Sequence, residues 1–120
     1  MHELSIAESI VDIVHQYVVQ EQLHAVRSVR VNVGTFSGIV PDSLEFSYQA
    51  ITAGTDLEHS FLTLERIPFM VRCRECMQES VSEDGVVACA LCNSTNTEII
   101  SGRELQMKDI ELEDMQQEQT

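Results

Sequence analysis

All four cysteines of this chain fall in two Cys-x-x-Cys pairs, Cys73/Cys76 and Cys89/Cys92, with twelve residues between the pairs. Each pair can present two sulfurs on one side of a tight loop, and two such loops facing each other make a tetrahedral thiolate cage. A closed four-sulfur cage suits Zn²⁺ first and iron second. It leaves no open coordination position, so the metal would hold shape rather than activate a water, and no catalysis is expected from it. Two disulfides would consume the same number of thiols. Met1 to Ile10, however, has neither the basic start nor the long apolar run of a secretory signal. A reducing, cytoplasmic setting is therefore expected, and there paired thiols usually hold metal. A redox role for one pair would leave the second unexplained.

A second set of donors stands at the start, Met1-His2-Glu3. The terminal amine, the His2 amide nitrogen and its imidazole Nδ1 can close fused chelate rings around one ion. The amide or the carboxylate of Glu3 could supply a fourth donor. Nitrogen donors in one plane favour Ni²⁺ or Cu²⁺, which gain from square-planar geometry, over Zn²⁺, which does not. The other histidines, His15, His24 and His59, have no chelating spacing and read as solvated side chains.

Charge narrows the partners. Twenty acidic residues against seven Lys and Arg give a net charge of −13 over 120 residues. Such a surface repels nucleic-acid phosphates and anionic membranes, and no segment is long and apolar enough to span a bilayer. Around the cysteines only Arg72 and Arg74 are basic, against Glu75, Glu79, Glu83 and Asp84. Neither nucleic acid nor membrane is expected as a partner. No nucleophile constellation or phosphate-binding glycine loop is readable, so the chain is not expected to be an enzyme.

These donors need a scaffold. Glu3 to about Gln20 reads as an amphipathic helix, with Leu4, Ala7, Val11, Val14 and Val18 in one stripe widened by Ile10 and Tyr17. Val26, Val29, Val31 and Val33 mark a strand, and a turn-rich Gly34–Gly38 connector follows. Pro41 suits the first turn of a second helix with Leu44, Tyr48 and Ile51 inward and Gly54 just past its end. Phe61 to Ile67 and about Arg103 to Leu112 read as further strands. The expected fold is α+β: two helices packed on a small mixed sheet of about three strands, with an inserted four-cysteine zinc-ribbon-like unit. Residues 1–71 and 98–112 would form the α+β domain that carries the amino-terminal donors, 72–97 the zinc insert, and 113–120 a disordered acidic tail.

Three segments occur in order: Met1-His2-Glu3-Leu4-Ser5; Gly34-Thr35-Phe36-Ser37 followed by Val40-Pro41-Asp42-Ser43-Leu44-Glu45-Phe46; and the paired cysteines. Together they resemble the HypA/HybF family, nickel metallochaperones of [NiFe]-hydrogenase maturation, over the chain up to about Leu112. The resemblance implies that the terminal amine of Met1 and His2 bind Ni²⁺ with Glu3 contributing, and that Cys73, Cys76, Cys89 and Cys92 hold a structural zinc. Asp42 lies in a segment that family members use near the nickel. It further implies delivery of Ni(II) to the hydrogenase large-subunit precursor, with the GTPase HypB as a partner, by a monomer or homodimer. The chain departs from the family pattern at Ala90, where relatives often carry proline, and has no histidine after Cys73. The competing reading is a zinc ribbon serving protein interaction or nucleic-acid binding without any nickel role.

Overall fold

A computed structural model describes the backbone of residues 2–113 and the side chains of 3–113. The acidic tail expected over 113–120 therefore lies, but for its first residue, outside the described residues. The element order is α1 (His2–Tyr17), a 3-10 helix (Gln20–Ala25), β1 (Val26–Gly34), α2 (Pro41–Thr52), β2 (Phe61–Ile67), β3 (Met70–Cys73), β4 (Glu79–Val81), β5 (Thr97–Ser101) and β6 (Leu105–Leu112). The strands form two sheets, in the orders β2-β1-β6 and β4-β3-β5. The α+β class and the inserted four-cysteine unit are as expected, and the second sheet is an addition.

The chain divides into two compact units. Met1–Val31, Val40–Leu64 and Met107–Thr120 form the first; Asn32–Ile39 and Glu65–Gln106 form the second. In the first, α1 and α2 pack on one another. The buried stripe of α1 is Ala7, Ile10 and Val14, continued by Val18 just past the helix end. It lies within the expected stripe but is narrower: Val11 is half-buried and Leu4 and Tyr17 are exposed, Tyr17 by 77%. A helix is buried along the line that its middle turns share, and residues at its two ends can fall off that line without breaking the 3-4 spacing.

In α2, Leu44 and Tyr48 are fully buried, but Thr52 takes the third inward place and Ile51 is half-buried. Thr52 is tolerated there because its Oγ1 donates to the Tyr48 carbonyl at 2.8 Å. The Tyr48 hydroxyl meets Ser60 Oγ at 2.7 Å, and Ser60 Oγ donates onward to the Leu57 carbonyl at 2.6 Å. Burial raises the Tyr48 pKa, so the hydroxyl stays protonated and donates. On β1, the exposed Arg30 grips Asp109 of β6 with two parallel bonds of 2.6 and 2.7 Å, which holds the Asp109 carboxyl below its ordinary pKa.

In the second unit, β3 pairs antiparallel with both β4 and β5. The β5 register jumps between Met70↔Ser101 and Val71↔Ile99, so Ile100 is the extra residue of a bulge. Strands of four, three and five residues carry too few alternations to announce themselves in sequence.

Candidate metal centres

Each cysteine loop is built by the same backbone bonds. The Met77 N–H donates to the Cys73 carbonyl and the Cys73 N–H to the Gln78 carbonyl, both at 2.9 Å. In the second loop Asn93 donates to Cys89 at 2.9 Å and Cys89 to Ser94 at 2.8 Å. Closing each turn requires a left-handed residue after the second cysteine, and Met77 (φ 63°) and Asn93 (φ 64°) occupy those places. The turns aim amides at sulfur: Glu75 and Cys76 donate to Cys73 Sγ at 3.3 and 3.4 Å, and Leu91 donates to Cys89 Sγ at 3.3 Å.

The four sulfurs all lie within 4.8 Å of one another. Across the cluster, Cys73 and Cys92 are 3.6 Å apart and Cys76 and Cys89 3.7 Å. A disulfide needs about 2.05 Å, so these thiols are not bridged. Four sulfurs around one ion at the zinc–sulfur distance of about 2.3 Å sit about 3.8 Å apart along each tetrahedral edge. The donor set and its spacing fit a metal such as zinc.

Electrostatics point the same way. The Cys76 amide, with lesser help from the Glu75 amide, lowers the Cys73 thiol to about 7, and the Leu91 amide lowers Cys89. At Cys92 the Ser94 amide pulls downward, but the Cys73 thiol, burial and the remaining thiols outweigh it and push the group up to about 12. At Cys76 the Gln78 amide is likewise outweighed, by burial together with Cys89 and Cys73, and the thiol is raised. Four thiolates this close repel, so two give up their charge; a divalent cation at the centre removes the conflict.

The second set of donors meets a different setting. The helix of Glu3 starts beside the start of α2, where Val40 is the N-cap and no side chain caps the helix. The Val40 N–H donates to Glu3 Oε2 at 3.1 Å, and that amide is the chief reason the Glu3 carboxyl sits below its ordinary pKa. A carboxylate also gains from the positive end of the α2 dipole. Glu3, Leu4, Asp42, Ser43, Phe46 and Ser47 line an open cleft of about 360 Å³. The structure thus brings Glu3 and Asp42 together; Met1 and the His2 side chain lie outside the described residues. Sequence reading missed the Val40 amide, which has no side-chain signal, and the exposed Phe46, four residues beyond Asp42 on the same helix face. His15, His24 and His59 are exposed, and among the described residues only the four cysteines gather as a metal-holding cluster. No described helix is long and apolar enough to cross a membrane.

A family model described as "HypA: Hydrogenase/urease nickel incorporation, metallochaperone, hypA" matches residues 1–112. The chain is 41% identical over 116 residues to the hydrogenase maturation factor HypA of Streptomyces avermitilis, covering 95% of this chain and 88% of that one. It is 34% identical over 113 residues to HypA of Aquifex aeolicus, covering 94% and 98%. Its fold resembles the solution structure of the Ni metallochaperone HypA from Helicobacter pylori, with a TM-score of 0.62 at 18% identity over 92% of this chain and 97% of that one. A second HypA solution structure gives 0.67 at 19% identity, over 93% and 96%. With two thiol loops, a carboxylate-lined cleft at the start of α1 and a match over nearly the whole length, the chain belongs to the HypA family of hydrogenase/urease nickel-incorporation metallochaperones.

Proposed function

We propose that the chain binds Ni(II) through the Met1 amine, His2 and Glu3, and delivers it to the [NiFe]-hydrogenase large-subunit precursor with HypB as its GTPase partner. The observation that carries this reading is the Glu3–Val40 bond, which moors the start of α1 at the rim of a cleft shared with Asp42. Because the Glu3 carboxylate already accepts the Val40 amide, its backbone nitrogen is the better candidate for the fourth donor. The first amides of a helix donate to no helical carbonyl, and the Glu3 N–H meets its own carboxylate instead, so a metal there would replace that one bond and leave the helix intact.

A site at the first residues of a helix, beside an open cleft lined by Glu3 and Asp42, suits hand-over by ligand exchange. The closed four-sulfur cluster suits a resident zinc that shapes the second unit. Four thiols gathered at metal-binding distance support a cytoplasmic setting, where paired thiols usually hold metal. The net charge of −13 favours a basic protein surface over nucleic acid.

The test is a nickel titration of untagged protein followed by visible absorption. His2→Ala, and separately a short extension before Met1, should each weaken nickel binding by about 100-fold or more while zinc content stays at one ion per chain. Unchanged affinity in both would falsify the terminal site. Ligand protonation competes with the metal, so affinity should fall steadily as pH drops below the imidazole pKa of about 6.5.

A further inference from the structure

The second unit carries a groove beside the cysteine cluster, with Cys89 in its lining. It lies between the end of β4 and the second cysteine loop, has a volume of about 490 Å³, and is lined by Val81, Val86, Ala88 and Ala90 with Glu83 and Asp84. Val81 is 49% exposed and Val86 53%, a costly way to leave β-branched side chains unless something covers them.

The groove wall is held in shape. Asp84 Oδ1 accepts both the Val86 N–H and the Ser82 hydroxyl at 3.3 Å, folding the loop over itself. Gly85 then takes φ +82°, and a Cβ there would stand 3.1 Å from the Phe36 ring. Phe36 is seated edge-on against Phe69, at 5.0 Å and 70°. A wall braced from behind by two rings loses little entropy when it is covered.

Charge selects the occupant. Both basic side chains of the cysteine segment are already engaged: Arg72 pairs with Glu79 at 2.8 Å, and Arg74 donates to the Thr97 carbonyl at 3.1 Å. Among the described residues no cation pairs with Glu83 or Asp84. A second copy of this chain would bring the same carboxylates and another net charge of −13, so self-association sets like charge on like.

We propose that this groove docks a segment of another protein that presents an aliphatic side chain flanked by lysines or arginines. The aliphatic group fills the valine-and-alanine trough, and the flanking cations meet Glu83 and Asp84 at its rim. This surface shares no residue with the Glu3 cleft, so it stands or falls independently of the terminal site.

The test maps backbone amide shifts of the metal-loaded full chain against two sets of short synthetic peptides. One set has an isoleucine between lysines, the other the same isoleucine between glutamates. The basic set should perturb residues 81–90, weaken about tenfold on going from low to high salt, and lose binding in Val86→Asp. Should Val86→Asp fail to fold, E83Q/D84N serves instead and should weaken binding several-fold. Silence at 81–90, equal response to both sets, or binding unchanged in E83Q/D84N overturns the proposal. So does a shift of the same amides with protein concentration alone, which would mean that a second copy fills the groove.

Discussion

Met77 and Asn93 hold equivalent places in the two cysteine loops, both left-handed, yet their side chains differ in suitability. Asparagine tolerates this backbone through its short polar side chain; an unbranched apolar residue has no such compensation, and the conformation costs about 1–2 kcal/mol. Met77 is also 69% exposed, so packing does not repay that cost. Met77→Asn should therefore raise stability by about 1 kcal/mol in denaturant unfolding without changing metal content. A fall in stability would show that the methionine makes contacts in solution that its exposure conceals. The cysteines themselves were fully legible from spacing, because ligand chemistry is local. The left-handed residues after them were not, since either residue type reads as an ordinary loop member.

At the scale of elements, two close approaches position the segments that carry or adjoin the candidate metal donors. Within the second unit, a Cβ on Gly34 would lie 2.2 Å from the Gly102 carbonyl carbon and oxygen, both backbone atoms that cannot swing aside. The neighbouring amides are tied as well, Gly34 to the Glu104 carbonyl at 2.8 Å and Phe36 to the Gly102 carbonyl at 2.7 Å. Gly34→Ala should cost about 3 kcal/mol or more, seen as a lowered unfolding midpoint, because the backbone must separate.

Within the first unit, Glu3 ties the start of α1 to Val40. Its folded pKa is depressed, so the tether is fully present above the unfolded carboxyl pKa of about 4.3 and is lost as pH falls through the lower folded value. Glu3→Gln should remove that pH dependence, and amide exchange at Val40 should speed up while the rest of α2 is unaffected. Strong periodicity made α1 and α2 legible. The buried face of α1 was legible at Ala7, Ile10, Val14 and Val18 but its extent was not, because Leu4 and Tyr17 satisfy the same spacing and only packing leaves them exposed.

For the molecule as a whole, the two units differ in what holds them. The first has a continuous apolar core that includes Ile10, Val14, Leu23, Val29, Leu44, Tyr48 and Leu57. In the second, Val33, Phe69 and Val71 are the buried apolar side chains besides Cys73 and Cys89. So small a core needs a staple, and two of its buried members are themselves thiols of the cluster. Chelation of the metal should collapse amide protection across residues 65–106 while α1 and α2 keep theirs. Acid should do the same, since protons compete for the thiolates and the second unit loses stability as pH falls. Retained protection in 65–106 after verified metal loss would show that the cluster is dispensable for the fold.

Sequence alone gave notice of the four-cysteine cluster and the family, since donor type and spacing are written in nearby residues and need no partner from elsewhere in the chain. Tertiary structure alone decided that Glu3 spends its carboxylate on the Val40 amide, that Asp42 and Phe46 border the same cleft, and that β3, β4 and β5 form a sheet. Each of these depends on atoms distant along the chain, and their meeting is selected by packing rather than by any local pattern.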